Sequence, residues 1–496
     1  MKRIRFWRRF SVTLCAAAVS ACATAPHQEA STHALPLPAN WAAPEKTGLF
    51  IPAQPADAQL KGDWWTLFGD AQLNALAAAL LEHNQSLAVA AARLEQARAQ
   101  ASVTTAGLFP QLALQGGAAR QKTSANRPLA AYNAANQSTV QNNDQLGFSV
   151  SYEMDLSGRV HQAVAAARAS EQQAAADFEN TRLVLMAELV ADYGNLRELD
   201  EEIRIVEAAI LIQDKALKLI ADRHQLGIAS GLDLAQQAAL LDSTKTQRGL
   251  LQKQRQQFEH AIATMSGQAA PGFRLAHQWQ AAHLPQVDAG VPSSLLQRRP
   301  DIASAQRAVA AANANIGVAR AAYFPTLMWQ ANGGWNSTQF SNLLNAPSIL
   351  WALGASLTQT VFDGGKTRAN ERFAEAAYQA TLATYRQTVL TAMQEVEDGL
   401  QGSVTLHQTA VQASASVHSA ERVLELANAR YEGGVATYLD VVSAQQNLLN
   451  SQRQLAQIHG QQWLTTVYLI KALGGGWQNR EADEADTPGA QRVNAG

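Results

Sequence analysis

Few residues in this 496-residue chain are arranged to do chemistry, and the best candidates sit in a passage that occurs twice. The first copy is Arg223-His224-Gln225-Leu226-Gly227-Ile228-Ala229-Ser230-Gly231-Leu232-Asp233. It returns 207 residues later as Arg430-Tyr431-Glu432-Gly433-Gly434-Val435-Ala436-Thr437-Tyr438-Leu439-Asp440. Carboxylates at Asp233 and Asp440 can hold a cation or accept a hydrogen bond, and the Tyr431 hydroxyl can donate one. The same spacing also suits two tight helix turns. Gly227 and Gly434 fit the left-handed residue that ends a helix. Ser230 and Thr437 fit caps of the next helix, whose N-terminal dipole an acid in the first turn supports. Both readings stay open on the residues alone.

Cys22 offers a different chemistry. A basic n-region (Lys2, Arg3, Arg5, Arg8, Arg9) and an apolar run from Phe10 to Ala21 form a secretory signal. It ends in Val19-Ser20-Ala21-Cys22, which is similar to a bacterial lipobox whose Cys thiol is acylated and becomes the mature N-terminus. The competing reading is ordinary cleavage beside an incidental Cys. Small residues directly before Cys22 favour lipidation, and Ala23 in place of an Asp points to the outer membrane.

Removing residues 1–21 leaves 34 Lys and Arg against 41 Asp and Glu, a net charge of −7. That balance gives no electrostatic case for nucleic acid. Cys22 is then the only Cys, so no disulfide forms within the mature chain. The eleven His are scattered without HExxH spacing, and there is no Walker sequence or GxSxG elbow. Gly364-Gly365 and Gly474-Gly475-Gly476 read as loops at helix boundaries, and Asp200-Glu201-Glu202 as solvated helix surface. No enzyme, no metal and no cofactor beyond a covalent lipid on Cys22 is expected. Six Met without a His cluster give no support for a copper or silver route.

The elements that carry these residues are duplicated. Phe109-Pro110 matches Phe324-Pro325, and Leu156-Ser157-Gly158 matches Phe362-Asp363-Gly364, at nearly the same offset. A repeat of this length implies internal pseudo-symmetry. Two proline-free gaps, of 142 and 140 residues, occupy corresponding places and are rich in Ala, Leu, Gln, Glu and Arg. In the first, Leu196, Leu199, Ile203, Val206, Ile210, Gln213, Leu217 and Ile220 form a heptad seam with one polar break. In the second, Val441, Ala444, Leu448, Ser451, Leu455 and Ile458 do the same.

Between the helices the pattern changes to alternation. Leu146, Phe148, Val150, Tyr152, Met154 and Leu156 face one way, with polar or small residues between them. Leu327, Trp329, Ala331, Gly333 and Trp335 repeat this, with Met328 the exception, as do Trp351, Leu353, Ala355, Leu357 and Val361. Leu112 and Leu114 begin a weaker example. Strands of about ten residues with one apolar and one wet face suit a membrane barrel, with Phe109, Phe324, Trp335 and Trp351 in an aromatic belt. A soluble sandwich would alternate too. Four strands cannot enclose a lumen, since eight make one barely wide enough for side chains. Oligomerisation is therefore required.

Asp63-Trp64-Trp65-Thr66-Leu67-Phe68-Gly69-Asp70, the two Phe-Pro strand starts, Arg298-Arg299-Pro300-Asp301-Ile302 and the repeated tips together resemble outer-membrane efflux lipoproteins of the TolC/OprM/NodT type. The resemblance runs from Cys22 to about Gly475. It implies a mixed α and β membrane protein with an internal two-fold repeat. Three copies, with four strands from each protomer, would form a trimeric 12-stranded outer-membrane β-barrel continued by a long periplasmic α-helical barrel. Implied partners are a periplasmic adaptor, an inner-membrane transporter of the RND class and outer-membrane lipid. The implied role is the passive exit duct of a tripartite efflux pump.

On this basis residues 1–21 are the signal, 22–62 an extended lipid-anchored tether, and 63–270 the first repeat with strands about 111–120 and 145–156. Residues 271–292 are a connector, and 293–473 the second repeat with strands about 326–337 and 350–362. Residues 474–496 form a flexible tail. The tips at 224–233 and 431–440 would carry gate residues Asp233, Asp440 and Tyr431. Adaptor docking would fall on Gly227, Ile228, Ser230, Gly434, Val435 and Thr437. Ala436 and Ser443 depart from family members that carry charged residues there. A lipid-anchored coiled-coil scaffold is the alternative function.

Overall fold

The computed structural model describes residues 50–51, 63–126, 138–278, 284–285, 287–288 and 298–475. The signal, Cys22, most of the tether, part of the connector and the tail beyond Gly475 lie outside the described residues. Seven helices are described: α1 (Ala71–His83), α2 (Gln85–Ala106), α3 (Arg159–Gln225), α4 (Gly231–Met265), α5 (Pro300–Ala321), α6 (Lys366–Glu432) and α7 (Tyr438–Ala472). The duplication is visible in their lengths, with α3 and α6 both 67 residues and α4 and α7 both 35. Cα packing divides the chain into two units. Each repeat contributes to both, so the units do not follow the repeat boundaries.

The first unit, from 95–173 and 306–384, holds an antiparallel sheet. Its strands are β2 (Gln111–Thr123), β3 (Thr139–Met154), β5 (Thr326–Ser337) and β6 (Ile349–Thr358), in the order β2-β3-β5-β6. Register places the apolar residues in common columns, as a period of two demands. Leu112 lies opposite Val150, then Ala331 and Leu353; Leu114 lies opposite Phe148, then Gly333 and Trp351. The intervening columns are polar or small, such as Gln111, Ser151, Gln330 and Gly354. Leu112, Leu114, Trp351 and Leu353 stay exposed, Trp351 by 80%.

Strand bounds differ from the alternation in three places, the first being that β3 stops at Met154 and leaves Leu156 outside the strand. β2 and β3 run on to Thr123 and Thr139, whose hydroxyls meet at 2.9 Å. There Thr139 to Asp144 is polar on nearly every side chain, so the ladder continues without a pattern to reveal it. β6 stops at Thr358, and Gln359 Nε2 donates to the Tyr323 carbonyl instead, leaving Thr360 and Val361 outside the strand.

The second unit holds the main core. Trp64, Trp65 and Phe68 lie on a 3-10 turn and are buried, with the Phe68 ring 4.2 Å from that of Trp463. Trp463 Nε1 donates to the Val190 carbonyl at 2.9 Å. Asp70 caps α1 through the N–H groups of Gln72 and Leu73, and its other oxygen accepts from the Tyr193 hydroxyl at 2.6 Å. Buried Arg299 donates to Asp301, to Glu395 at 2.6 Å and to the Ala472 carbonyl at 3.0 Å. The segment read as an extended tether is tied at one point, because β1 (Phe50–Ile51) pairs in parallel with β4 (Val287–Asp288) of the connector.

Helices this long gain most of their stability from packing rather than propensity. The α3 seam is buried as its heptads require, from Leu196 through Val206 to Ile220. In α7 the buried set drifts to Leu449 and Ala456, one residue past Leu448 and Leu455. A straight helix rotates about 20° per heptad against a 3.5-residue repeat, which moves the stripe in that way.

The acidic run of α3 is a correction. Asp200 and Glu202 are buried. Asp200 accepts from Arg255 at 2.6 Å and pairs with Arg197 and His277. Glu202 accepts from Arg453 at 2.7 Å and from Gln457 at 2.9 Å. Burial, with the Glu202 carboxylate beside it, pushes Glu198 up to about 8. Arg197 lies one turn away, but Arg255, His277 and Arg453 stand 55, 77 and 251 residues from the acids they meet, so no local pattern could reveal that burial.

Gly334 yields a test of the sheet. A Cβ there would fall 2.3 Å from the Leu146 carbonyl oxygen and 2.5 Å from Gly147 Cα. Gly334→Ala should force β3 and β5 apart and destabilise by about 1–3 kcal/mol. Gly354→Ala, where the same methyl meets open space, is the control. Thermal unfolding in detergent should separate the two; equal midpoints would show that the strands relax around the methyl.

Candidate functional site

The repeated passages form the turns α3–α4 and α6–α7, both in the second unit. Gly227 and Gly434 adopt positive φ, 74° and 71°. The reversal lets the Ile228 N–H reach the Arg223 carbonyl at 2.8 Å and the Val435 N–H reach the Arg430 carbonyl at 3.0 Å. These bonds satisfy helix-end carbonyls that would otherwise lack partners.

Asp233 and Asp440 then act locally. The Asp233 N–H donates to Ser230 Oγ at 3.1 Å, and the Ser230 N–H donates back to Asp233 Oδ2 at 3.2 Å. Thr437 donates to Asp440 Oδ2 from both its N–H and its hydroxyl, each at 3.0 Å. Both acids are thus part of helix starts; Asp440 is exposed and Asp233 half-buried. Capping occupies one carboxylate oxygen and leaves the charge outward, so it does not compete with a role in cation binding.

Tyr431 does not stand alone. Its ring meets that of Tyr438 edge-on, with centroids 5.0 Å apart. Tyr438 is buried with Ile220, Ala229 and Val441, and its hydroxyl donates to Gln237 Oε1 at 2.8 Å. Burial, with Tyr431 and the Asp233 carboxylate nearby, pushes Tyr438 up to about 12, so it remains a donor. Sequence reasoning named Tyr431 and Asp233 but missed Tyr438, whose ring packs on that of Tyr431. No local pattern signalled it: Gln237 Nε2 donates at 2.9 Å to the main-chain carbonyl of Gln213, a bond that any residue at that position would supply. In the first tip His224 replaces Tyr431, and its Nδ1 lies 2.9 Å from the Ala229 carbonyl.

Around these bonds the tips are apolar and open. Leu226, Ile228, Leu232, Val435 and Leu439 are each more than half exposed. Gly227 and Gly434 are exposed between them, while Ser230 and Thr437 are held in the caps. Among the described residues no group of three His, Cys, Asp or Glu could hold a metal ion. Among them, too, no helix is long and apolar enough to cross a membrane.

A sheet with one apolar face and four long helices ending in paired, capped turns define a class that comparison identifies. A family model described as outer membrane efflux protein matches residues 76–268 and 291–475, and the chain belongs to that family. It is an outer-membrane efflux channel and not an enzyme. Among its relatives is the pyoverdine export outer membrane protein OpmQ of Pseudomonas aeruginosa, 32% identical over 90% of this chain and 93% of that one. Outer membrane protein OprJ of the same organism is 33% identical over 94% and 95%. Solved structures agree. The outer-membrane channel OprN superposes with a TM-score of 0.81 at 28% identity, covering 90% of this chain and 99% of that one. The CmeC outer membrane channel of Campylobacter jejuni gives 0.83 at 25%, covering 91% and 97%.

The cap geometry carries its own test. Ser230→Ala removes the hydroxyl that accepts the Asp233 N–H and should cost about 1 kcal/mol. Amide exchange at residues 231–234 should rise selectively. Unchanged exchange there would mean that the turn is held by its backbone bonds alone.

Proposed function

We propose that three copies of the chain assemble into one duct, their sheets closing a barrel in the outer membrane and their hairpins forming a mouth. The observation that carries this is the sheet itself. β2 and β6 each leave one edge without a strand partner among the described residues, and the sheet has one apolar face. In hydrocarbon an open edge is not tolerated, so β6 of one copy pairs with β2 of the next. Twelve strands result. A lipid on Cys22 adds an anchor that the barrel does not need for insertion.

At the mouth, three copies each of Asp233 and Asp440 surround the axis. Gathered carboxylates favour a bound cation and make the constriction cation-selective. Tyr431 belongs to the same constriction through its contact with Tyr438. A periplasmic adaptor docks on the exposed tips at Gly227, Ile228, Ser230, Gly434, Val435 and Thr437. Small residues there allow close approach to the backbone, and Ile228 and Val435 offer apolar surface. The adaptor links the duct to an inner-membrane transporter of the RND class, which selects and drives the cargo.

Planar-bilayer recording tests the duct. The protein should conduct, with cation selectivity and block by divalent ions; a scaffold would pass no current. Asp233→Asn with Asp440→Asn keeps acceptor oxygens for the caps but removes the charges, so selectivity and block should fall several-fold. If both stay at the parent level, the acids serve the caps only.

Docking has a separate test. Gly434→Trp places a bulky ring on the tip and should reduce export in cells to background while channel assembly is kept. Normal export by this variant would place the adaptor elsewhere.

A further inference from the structure

One cavity of the second unit has no part in the duct. It spans about 530 Å³ between α3, α7 and the 3-10 turn that carries Phe68, a size that suits a small organic molecule. Two glycines make room for its walls. Gly194 of α3 lies under the Trp463 indole of α7. Gly460 of α7 lies against Glu198 of α3, where a Cβ would come 2.6 Å from the carboxyl oxygen. Each helix thus gives up a side chain so that the other can project one across the contact. The arrangement is not duplicated. At the offset of 207, Gly194, Glu198, Gly460 and Trp463 correspond to Gln401, Thr405, Lys253 and Gln256. Packing of a hairpin therefore does not require it.

The walls are apolar on one side, with Ile205, Val417 and Leu455 beside Trp463. On the polar side every charge but one is already matched. Asp70 serves the α1 cap and the Tyr193 hydroxyl, Arg197 pairs with Asp200, and Arg204 pairs with Glu201. Arg453 pairs with Glu202. Glu198, half-buried beside Glu202, has no ion pair of its own among the described residues. Burial and that neighbour push it up to about 8, so it holds a proton at neutral pH. A metal ion would need more oxygen ligands than this pair of carboxyls offers. An anion would find both arginines engaged.

We propose that the cavity binds a small amphipathic cation, its ammonium group on Glu198 and its apolar body against Trp463, Leu455 and Val417. The incoming charge replaces the proton on Glu198, which leaves to solvent. Binding then tightens as pH rises to about 8, where Glu198 ionises unaided, and levels off above it. The titratable and charged groups around Glu198 are Arg197, Glu201 and Glu202 on α3, Arg453 and His459 on α7, and Asp70 at the turn. His459→Gln separates the charge of that imidazole from the charge of Glu198.

Titration calorimetry in a non-ionic detergent tests the site, with tryptamine as the cation and tryptophol as its neutral counterpart. Tryptamine should bind the parent once per chain and, at pH 8, at least tenfold tighter than tryptophol, the worth of one charge-assisted hydrogen bond. Its affinity should rise about tenfold between pH 6 and 7, in the parent and in His459→Gln alike. About one proton should be released per molecule bound at pH 7, read from buffers of unlike ionisation heat. Glu198→Gln keeps the shape and removes the charge, so its unfolding midpoint should not fall; it should bring tryptamine to the tryptophol level and abolish proton release. Leu455→Phe narrows the apolar side and should weaken both compounds. Tryptamine that binds the parent no tighter than tryptophol, or that binds Glu198→Gln as it binds the parent, overturns the proposal.

Discussion

Backbone hydrogen bonding at the sheet edges is the constraint on which the rest of the molecule depends. Within a bilayer each unpaired N–H or C=O costs several kcal/mol, and no water is present to share the load. A four-stranded sheet of 10- to 16-residue strands with an exposed apolar face cannot meet that constraint alone. It must close on copies of itself. Closure fixes where each chain leaves the sheet, and the helices that follow start at Arg159 and Lys366 in both repeats. The ring of helices is thus a consequence of the ring of strands. The duplication gives each copy two hairpins to line it.

Much of this was legible in the residues because it is periodic. Alternation with a period of two marked the strands, and heptads marked the α3 seam from Leu196 to Ile220. Glycine followed three residues later by Ser or Thr marked both turns. Each signal is local, repeated and set by backbone geometry. The misses share a different cause. The polar ladder at Thr123 and Thr139 carries no apolar partner to reveal it, and the drift to Leu449 and Ala456 reflects the mismatch between 3.5 and 3.6 residues per turn. The pairing of Phe50–Ile51 with Val287–Asp288 spans more than 230 residues and involves only two residues of each strand.

The acidic run of α3 shows the same limit for charges. Asp200-Glu201-Glu202 has the composition of a solvated surface, yet even Glu201, the least buried of the three, is half-buried in its pair with Arg204. Asp200 and Glu202 instead bring α4, α7 and the segment after Gly272 onto α3 through Arg255, Arg453 and His277. Buried pairs of this kind are weak sources of net stability, because desolvation offsets much of the attraction. Their value lies in register: a helix of 67 residues packed mainly through alanine, leucine and valine can slide by a turn unless a few polar contacts forbid it. Asp200 and Glu202, two residues apart, pin two different helices.

At the tips the symmetry that built the molecule is deliberately incomplete. The turns share φ values, carbonyl-satisfying bonds and acid-supported helix starts, so selection for a stable reversal alone would have left them alike. They diverge in their side chains: His224 braces its own turn through Ala229, while Tyr431 packs on Tyr438, whose hydroxyl crosses to Gln237. Two identical hairpins could meet their neighbours only in equivalent ways. The Tyr438–Gln237 bond has no counterpart in the other turn, because Gly231 stands at the position equivalent to Tyr438, so the same backbone carries two different side-chain settings.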